Sequence, residues 1–290
     1  MDPRRDYQLG LFFVMAAAIT WSSAGFFTRL IDLDYPTMIA GRGIFGALGL
    51  FIVIVIMNGR KWPRLFITMG RNEAIYIALV VLGMIAFIGS LGLTSVAHNA
   101  VIFATIPLIS AFLGWFFLRE IPSQTVLVAS AVAILGVAIM MGFGFDGGLS
   151  GDILSFVATL CMALSIIIIR LNPTIAITAC ACVGSLVSGL VCLPFADLSA
   201  VTPTHFGYLV LFGLLNSAAG LTLFSLGSRR LPAVETALIS TLDTPLSPLW
   251  VWLAFGETAG PQTLVGGGIV LGAVVMHVVI SQRRQARAAI

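Results

Sequence analysis

Apolar runs of about twenty residues, the length a helix needs to cross the hydrocarbon of a bilayer, recur along this chain between short polar breaks. Cutting at charges, prolines and glycine clusters gives ten runs, near 9–28, 36–57, 73–94, 98–118, 123–142, 152–170, 174–194, 206–227, 232–254 and 262–280. The connections are short, and none is long enough to be a soluble domain. The runs lack the alternation of a barrel strand. The pattern therefore predicts an all-α polytopic membrane protein with ten transmembrane helices.

Composition sharpens this. Of 290 residues, 59% are hydrophobic and 9% charged, against about 25% charge in a typical soluble domain, and mean hydropathy is +1.07. So little polar side chain cannot cover a water-facing surface, which excludes a cytosolic enzyme, a disordered chain and a secreted disulfide scaffold. Cys161, Cys180, Cys182 and Cys192 all fall inside apolar runs without metal-binding spacing, and are expected as buried free thiols. The first run is too long for a cleavable signal and reads as a retained span.

Charge sets the orientation. With the N-terminus inside, Arg4, Arg5, Arg60, Lys61, Arg64, Arg71, Arg119, Arg170, Arg229, Arg230, Arg283, Arg284 and Arg287 all become cytoplasmic, 13 of the 15 basic residues. Only Arg29 and Arg42 fall elsewhere. By the positive-inside rule both termini are expected in the cytoplasm. The net charge of +3 is spent on this asymmetry, so no nucleic-acid partner is expected.

The two halves resemble each other. GLFFVMAAAITWSSAGFFTRL (10–30) aligns without gaps on GDILSFVATLCMALSIIIIRL (151–171), YPT (35–37) on NPT (172–174), AFLGWFFLRE ending at Glu120 on PLWVWLAFGE ending at Glu257, and ASAVAILG (129–136) on VGGGIVLG (265–272). Each unit, 1–150 and 151–290, holds five spans. An odd number turns the second copy upside down, giving two inverted five-helix repeats of the kind found in secondary transporters.

Five plus five helices, an Arg early in the second (AGRGIFGALG), Pro107 followed by a Glu ending the same helix, and LPAVETALIS…TPLSPLW…GE resemble the drug/metabolite transporter superfamily, in particular its EamA-type members. The general look is closest to bacterial exporters of amino acids, aromatic ones included. The resemblance implies a bacterial inner-membrane transporter whose central cavity is lined by helices 1, 3, 4, 6, 8 and 9.

Polar groups inside the spans are the candidates for chemistry, because a charge at mid-bilayer is costly. Arg42, about 9 Å into helix 2 at 1.5 Å per residue, either attracts a substrate carboxylate or bonds to protein carbonyls. Asp243, followed by Pro245 and Pro248, either binds an ammonium or a coupling proton, or caps a distorted turn. Trp21 and Ser23 in helix 1, Met84, Phe87 and Ser90 in helix 3, and Asn216 in helix 8 are candidate cavity lining, with helix packing as the alternative. His98 can gate the outer mouth or share an interface role, and Asn99 reads as a helix cap. Glu235 reads as a helix-dipole partner near Arg229 and Arg230. Gly268 and Gly272 form a GxxxG pair read as close packing within the fold, with dimerisation the lesser reading. Tyr7, Trp62, Trp115 and Trp252 are read as a group containing interface anchors.

The sequence carries no GxxxxGK[ST], HExxH, GxSxG or TVGYG. No cofactor, metal or catalytic residue is expected. The expectation is therefore a secondary transporter, not an enzyme, exporting a small metabolite, amino acids first. Efflux of lipophilic cationic drugs is the alternative within transport, and a membrane receptor or embedded enzyme the alternative outside it. The partners expected are a small-molecule substrate and the lipid bilayer, with the protein a monomer or weak homodimer.

Overall fold

The computed structural model describes residues 3–94, 96–140, 148–256 and 260–288. All regular structure among the described residues is helical. In chain order the helices are α1 (Pro3–Ser22), α2 (Ala24–Ile31), α3 (Tyr35–Asn58), α4 (Trp62–Ile67), α5 (Arg71–Leu93), α6 (Val96–Phe103), α7 (Ile106–Leu113) and α8 (Gln124–Met140). They continue as α9 (Leu149–Leu171), α10 (Ile177–Cys192), α11 (Pro203–Phe212), α12 (Gly220–Ser228), α13 (Ala233–Ser240), α14 (Asp243–Phe255) and α15 (Pro261–Ala288). Seven helical stretches are long and apolar enough to cross a membrane: Arg5–Ile31, Tyr35–Ile67, Val101–Leu118, Leu149–Leu171, Ile177–Phe195, Pro203–Ser228 and Pro261–Ser281.

Local chemistry sets the boundaries. The Asp34 carboxylate accepts from the Thr37 N–H at 3.0 Å and Pro36 sits in the first turn, which starts α3. Thr202 and Pro203 start α11 in the same way, with Thr202 Oγ1 accepting from the His205 N–H. Gly256, at φ 68°, stops α14 in a left-handed turn.

Three of the expected continuous helices are interrupted, and a fourth is locally widened. Helix 1 breaks at Ser23, where the hydroxyls of Thr20, Ser22 and Ser23 bond back to the carbonyls of Ala17, Ile19 and Thr20, a pattern that bends helices. Helix 4 breaks at Ala104–Thr105 and helix 9 at Thr241–Leu242. At each, a threonine hydroxyl closes the last turn, Thr105 onto Ile102 O and Thr241 onto Leu238 O, both at 2.6 Å. Pro107 and Pro245, just beyond, lack the N–H that would continue the ladder. A π-helical turn over Gly213–Ala219 joins α11 to α12, and another over Gly114–Leu118 ends helix 4. The short helix α4, with exposed Arg64, is a further element not expected from the pattern.

The packing is of helix on helix. α5 lies on α9, α3 on α10, α8 on α15, and α1 on α12. α3 also packs the π-turn before α12, α10 packs α5, α9 packs α6 and α7, α1 packs α13 and α14, and α13 packs α7. The close contact of α8 with α15 runs through Gly136 and Gly266, since a Cβ on Gly136 would lie 2.9 Å from Gly266 O. Gly268 and Gly272, expected to make the close contact, have nothing among the described residues within 4 Å of a Cβ built on either. Among the described residues that GxxxG pair therefore packs nothing closely.

Candidate functional site

Where helices 1, 3, 4, 6, 8 and 9 converge, the chain places one apolar cluster. Ala17 and Trp21 come from α1, Tyr76 and Val80 from α5, Phe103 and Ile106 from helix 4, Ile166 from α9, Phe224 from α12 and Ala237 from α13. Trp21 packs on Phe224 with ring centroids 5.1 Å apart, and Phe103 meets Phe87 edge-on at 4.9 Å. Aromatic side chains thus gather beside the breaks of helices 1 and 4.

The break in helix 1 is held from outside. Asn216, buried on the π-turn, donates from Nδ2 to the carbonyls of Thr20 and Trp21, both at 3.3 Å. Trp21 Nε1 returns a bond to the Asn216 carbonyl at 3.1 Å. On the other side Trp250 of α14 donates to Ser22 Oγ at 2.7 Å. A wider π-turn is what lets Asn216 turn its amide toward α1. Trp250 was not singled out from the sequence, where a tryptophan near a helix end reads as an interface anchor.

The other expected site residues are placed as follows. Asp243 opens α14 directly after the helix 9 break, and its Oδ1 accepts from Thr244 Oγ1 at 3.1 Å. Its carboxylate therefore sits at a helix N-terminus, where negative charge is favoured. Ser90 is fully buried, bonds back to Phe87 O, and accepts from Asn99 Nδ2 at 2.5 Å. Asn99 thus ties α6 to α5 rather than capping a helix. Met84 lies part-buried on α5, as Ser23 does at the helix 1 break. His98 lies on α6 with its side chain outside the described residues, and Glu257 lies outside them altogether.

Arg42 stands apart. It rises from α3 with its guanidinium 5.6 Å from the centre of the Phe212 ring, and its buried Nε has no hydrogen-bond partner among the described residues. α3 packs against α10 and α11, whereas the Asp243 helix packs against α1, α2 and α15. The two charges are not on facing elements.

One end of the bundle, the one where α1 begins, carries a set of polar contacts between the two halves of the chain. Arg230 Nε meets Asp6 Oδ1 at 3.0 Å, Arg170 meets Glu120 at 2.7 Å, and Asn72 donates to Asn172 at 2.6 Å. Within the second half, Arg229 donates to the Ile175 carbonyl at the same end. At the opposite end Thr94 donates to Asp152 at 2.6 Å. Tyr7, read among the interface anchors, is instead buried and donates to Glu235 Oε2 at 2.7 Å. Glu235 is accordingly bound to Tyr7 rather than to Arg229 or Arg230. Its other neighbour, His277 on α15, was overlooked, although an ionisable residue inside an apolar run is the usual signal of a site.

All four cysteines are free, three of them buried, as expected. Against the Cys182 end of α10 lies a pocket of about 360 Å³, lined by Ile44, Phe51, Trp62, Phe66, Cys182 and Leu186 among others, with no polar surface. It is apolar and lateral, away from the convergence of breaks.

The EamA-like transporter family matches twice, over residues 8–142 and 149–279. The chain belongs to the EamA-like transporter family, and so to the multi-pass membrane transporters of the drug/metabolite type. A solved structure titled "Crystal structure of protein" shares the fold, with a TM-score of 0.79, 13% identity, and coverage of 95% of this chain and 98% of that one. Comparison with the curated proteins gives no match.

Proposed function

We propose that the protein is a secondary transporter that exports a small metabolite, with amino acids the leading class, by alternating access between two inverted five-helix halves. The halves are 1–150 and 151–290, both termini are cytoplasmic, and the membrane is a bacterial inner membrane. The observation that carries this reading is the exchange symmetry of the packing. Swapping helices 1–5 for helices 6–10 turns α5 on α9 into α12 on α1, the α3 contact with the π-turn into α10 on α5, and helix 4 on α9 into helix 9 on α1. The contacts of α3 with α10 and of α8 with α15 map onto themselves.

Two features support the same reading. The breaks at 104–105 and 241–242 are 137 residues apart, the spacing that also separates Glu120 from Glu257. The family matches each half once. Broken helices at the meeting of two repeats are where transporters present freed backbone groups to solutes. Around them Trp21, Phe87 and Phe103 offer apolar walls, and Ser23 and Asp243 offer few polar anchors, which suits an amphipathic solute; Ser90 and Asn216, bonded within the protein, shape the walls. Asp243 is assigned the solute ammonium. Arg42, set apart on α3, is assigned attraction of the carboxylate on its way through.

Purified protein in proteoliposomes, preloaded with unlabelled amino acids, should exchange them for labelled ones in counterflow. Binding without movement of any solute would favour a receptor and end the reading. The grouping of aromatic rings near one carboxylate also fits lipophilic cations. Exchange of cationic dyes but of no amino acid would replace the substrate class and keep the mechanism.

A further inference from the structure

Three ionisable side chains from three helices meet away from the convergence of breaks. Tyr7 of α1 donates to Glu235 Oε2 at 2.7 Å, and His277 Nε2 of α15 lies 3.7 Å from Glu235 Oε1. Ser281 Oγ lies 3.3 Å from the same imidazole nitrogen. The side chains of His277 and Glu235 are 1% and 16% exposed, and His277 Nδ1 is buried with no hydrogen-bond partner among the described residues. We propose that Glu235 and His277 form the proton-binding site of this transporter, and that its occupancy is coupled to the contact between α1 and α13. This rests on the transport reading above.

The physical case is charge balance. In a dry interior a carboxyl and an imidazole in contact are favourable together only when their charges cancel, as carboxylate with imidazolium or as acid with neutral ring. Both arrangements hold one proton. Losing it leaves a lone buried carboxylate supported by the Tyr7 hydroxyl, an expensive state unless water reaches it.

Among the described residues, the neighbouring elements supply no second buried counter-charge. α7 and α8 carry no titratable side chain in their described residues. On α9, Arg170 is engaged by Glu120, Asp152 meets Thr94 at the opposite end of the bundle, and Cys161 is an uncharged thiol. Asp6, next to Tyr7, is engaged by Arg230, and Arg229 by the Ile175 carbonyl. Arg5 is exposed, and Asp243 lies on α14, beyond the helix 9 break. Arg283, Arg284 and Arg287 follow His277 on α15 with side chains outside the described residues.

Tyr7 belongs to the first half, and Glu235 and His277 to the second. Parting the halves at this end breaks the Tyr7 bond and admits water. The proton then passes to water, leaving Glu235 a carboxylate and His277 neutral. Closure at this end, which re-forms the dry pocket, requires the proton back. The state closed at this end holds a proton and the state open here releases one to the water on the same side, so acidity on this side favours closure.

Two measurements test this. In pH-difference infrared spectra of the reconstituted protein, acidification should raise a carboxyl C=O band that is missing in Glu235→Gln and displaced in Tyr7→Phe. In proteoliposomes, the dependence of labelled amino-acid counterflow on the pH at the α1 face should fall by about tenfold in Glu235→Gln and in His277→Asn, within the range of ordinary site-to-site coupling. Gln keeps an acceptor for Tyr7, and thermal unfolding checks both variants. An unchanged carboxyl band in Glu235→Gln, or undiminished pH dependence in both variants, overturns the proposal. Counterflow that ignores the pH at the α1 face in the unsubstituted protein overturns it too, leaving the transport reading intact. Absent counterflow with an intact Glu235 band would instead remove the transport reading alone.

Discussion

The contacts at the α1 end set how readily the two halves part there, and their strength can be worked out. Asp6 and Arg230 are 41% and 27% exposed in their side chains, and Glu120 and Arg170 are 37% and 28% exposed. Water screens charges this exposed, so each pair contributes about 0.2–1 kcal/mol. Neutralising both acids with Asp6→Asn and Glu120→Gln removes about 0.4–2 kcal/mol of bias toward closure at this face. Since about 1.4 kcal/mol is a factor of ten, the open population should rise roughly 2- to 30-fold relative to the closed one. Spin labels at the exposed positions Ile67 and Leu171, one in each half, read this as growth of a longer-distance population in pulsed dipolar spectra. High salt should reproduce part of the shift in the unsubstituted protein. An unchanged distance distribution in the double variant would mean that apolar packing alone holds this end shut, and would refute the reasoning.

Asn216→Leu deletes both donors to the helix 1 break, and hydrogen bonds in bilayer proteins average about 0.6 kcal/mol with a maximum near 1.7. Its expected cost is therefore about 1–2 kcal/mol, read as a lower unfolding midpoint in detergent. Gly266→Ala drives a methyl into the Gly136 carbonyl and the Met140 backbone and should destabilise by about 1–3 kcal/mol. Gly268→Ala, facing open space, should stay within about 0.5 kcal/mol, and equal losses in the two would remove the assignment of the α8–α15 contact. In counterflow, amino-acid export predicts reduced exchange in both Asp243→Asn and Arg42→Gln. Export of lipophilic cations predicts loss in Asp243→Asn only.

Much of the architecture was legible because lipid makes one demand repeatedly. Every backbone group must be satisfied inside its own helix, so apolar runs and their charged flanks mark helices directly. The breaks were legible only in part. Pro245 pointed to the disturbance of helix 9, but that of helix 1 comes from three hydroxyls, and those read equally well as packing or lining. Partnerships were the least legible. Asn216 and Trp21 were both nominated as lining, yet nothing in either run says that a π-turn would bring the amide onto the Thr20 and Trp21 carbonyls. Tyr7 and Glu235 lie 228 residues apart, and each had a sufficient local explanation, an anchor for one and a helix dipole for the other. The charge on Arg229 and Arg230, adjacent in sequence to Glu235, drew the expectation away from α1 and α15.

The proposed repeat adds a constraint that neither half carries alone. Under it, residues 137 apart are equivalent through helices 4 and 9, so that Glu120 answers to Glu257 and Glu235 to His98. With an offset of 141 for the first helix of each half, Arg170 answers to Arg29. The Glu120–Arg170 pair that joins the two halves at the α1 end thus has its sequence counterpart in Glu257 and Arg29, at the ends of helices expected on the other face. Ionisable residues likewise open both broken helices, an acid in one half and an imidazole in the other. If the halves exchange conformations, closing one face reuses the chemistry that closed the other, with one difference. A carboxyl and an imidazole bind protons with opposite consequences for charge, since one is neutralised and the other made positive. Two equivalent positions with unlike proton chemistry would make the two faces respond differently to pH, while the direction of net transport stays set by the gradients across the membrane.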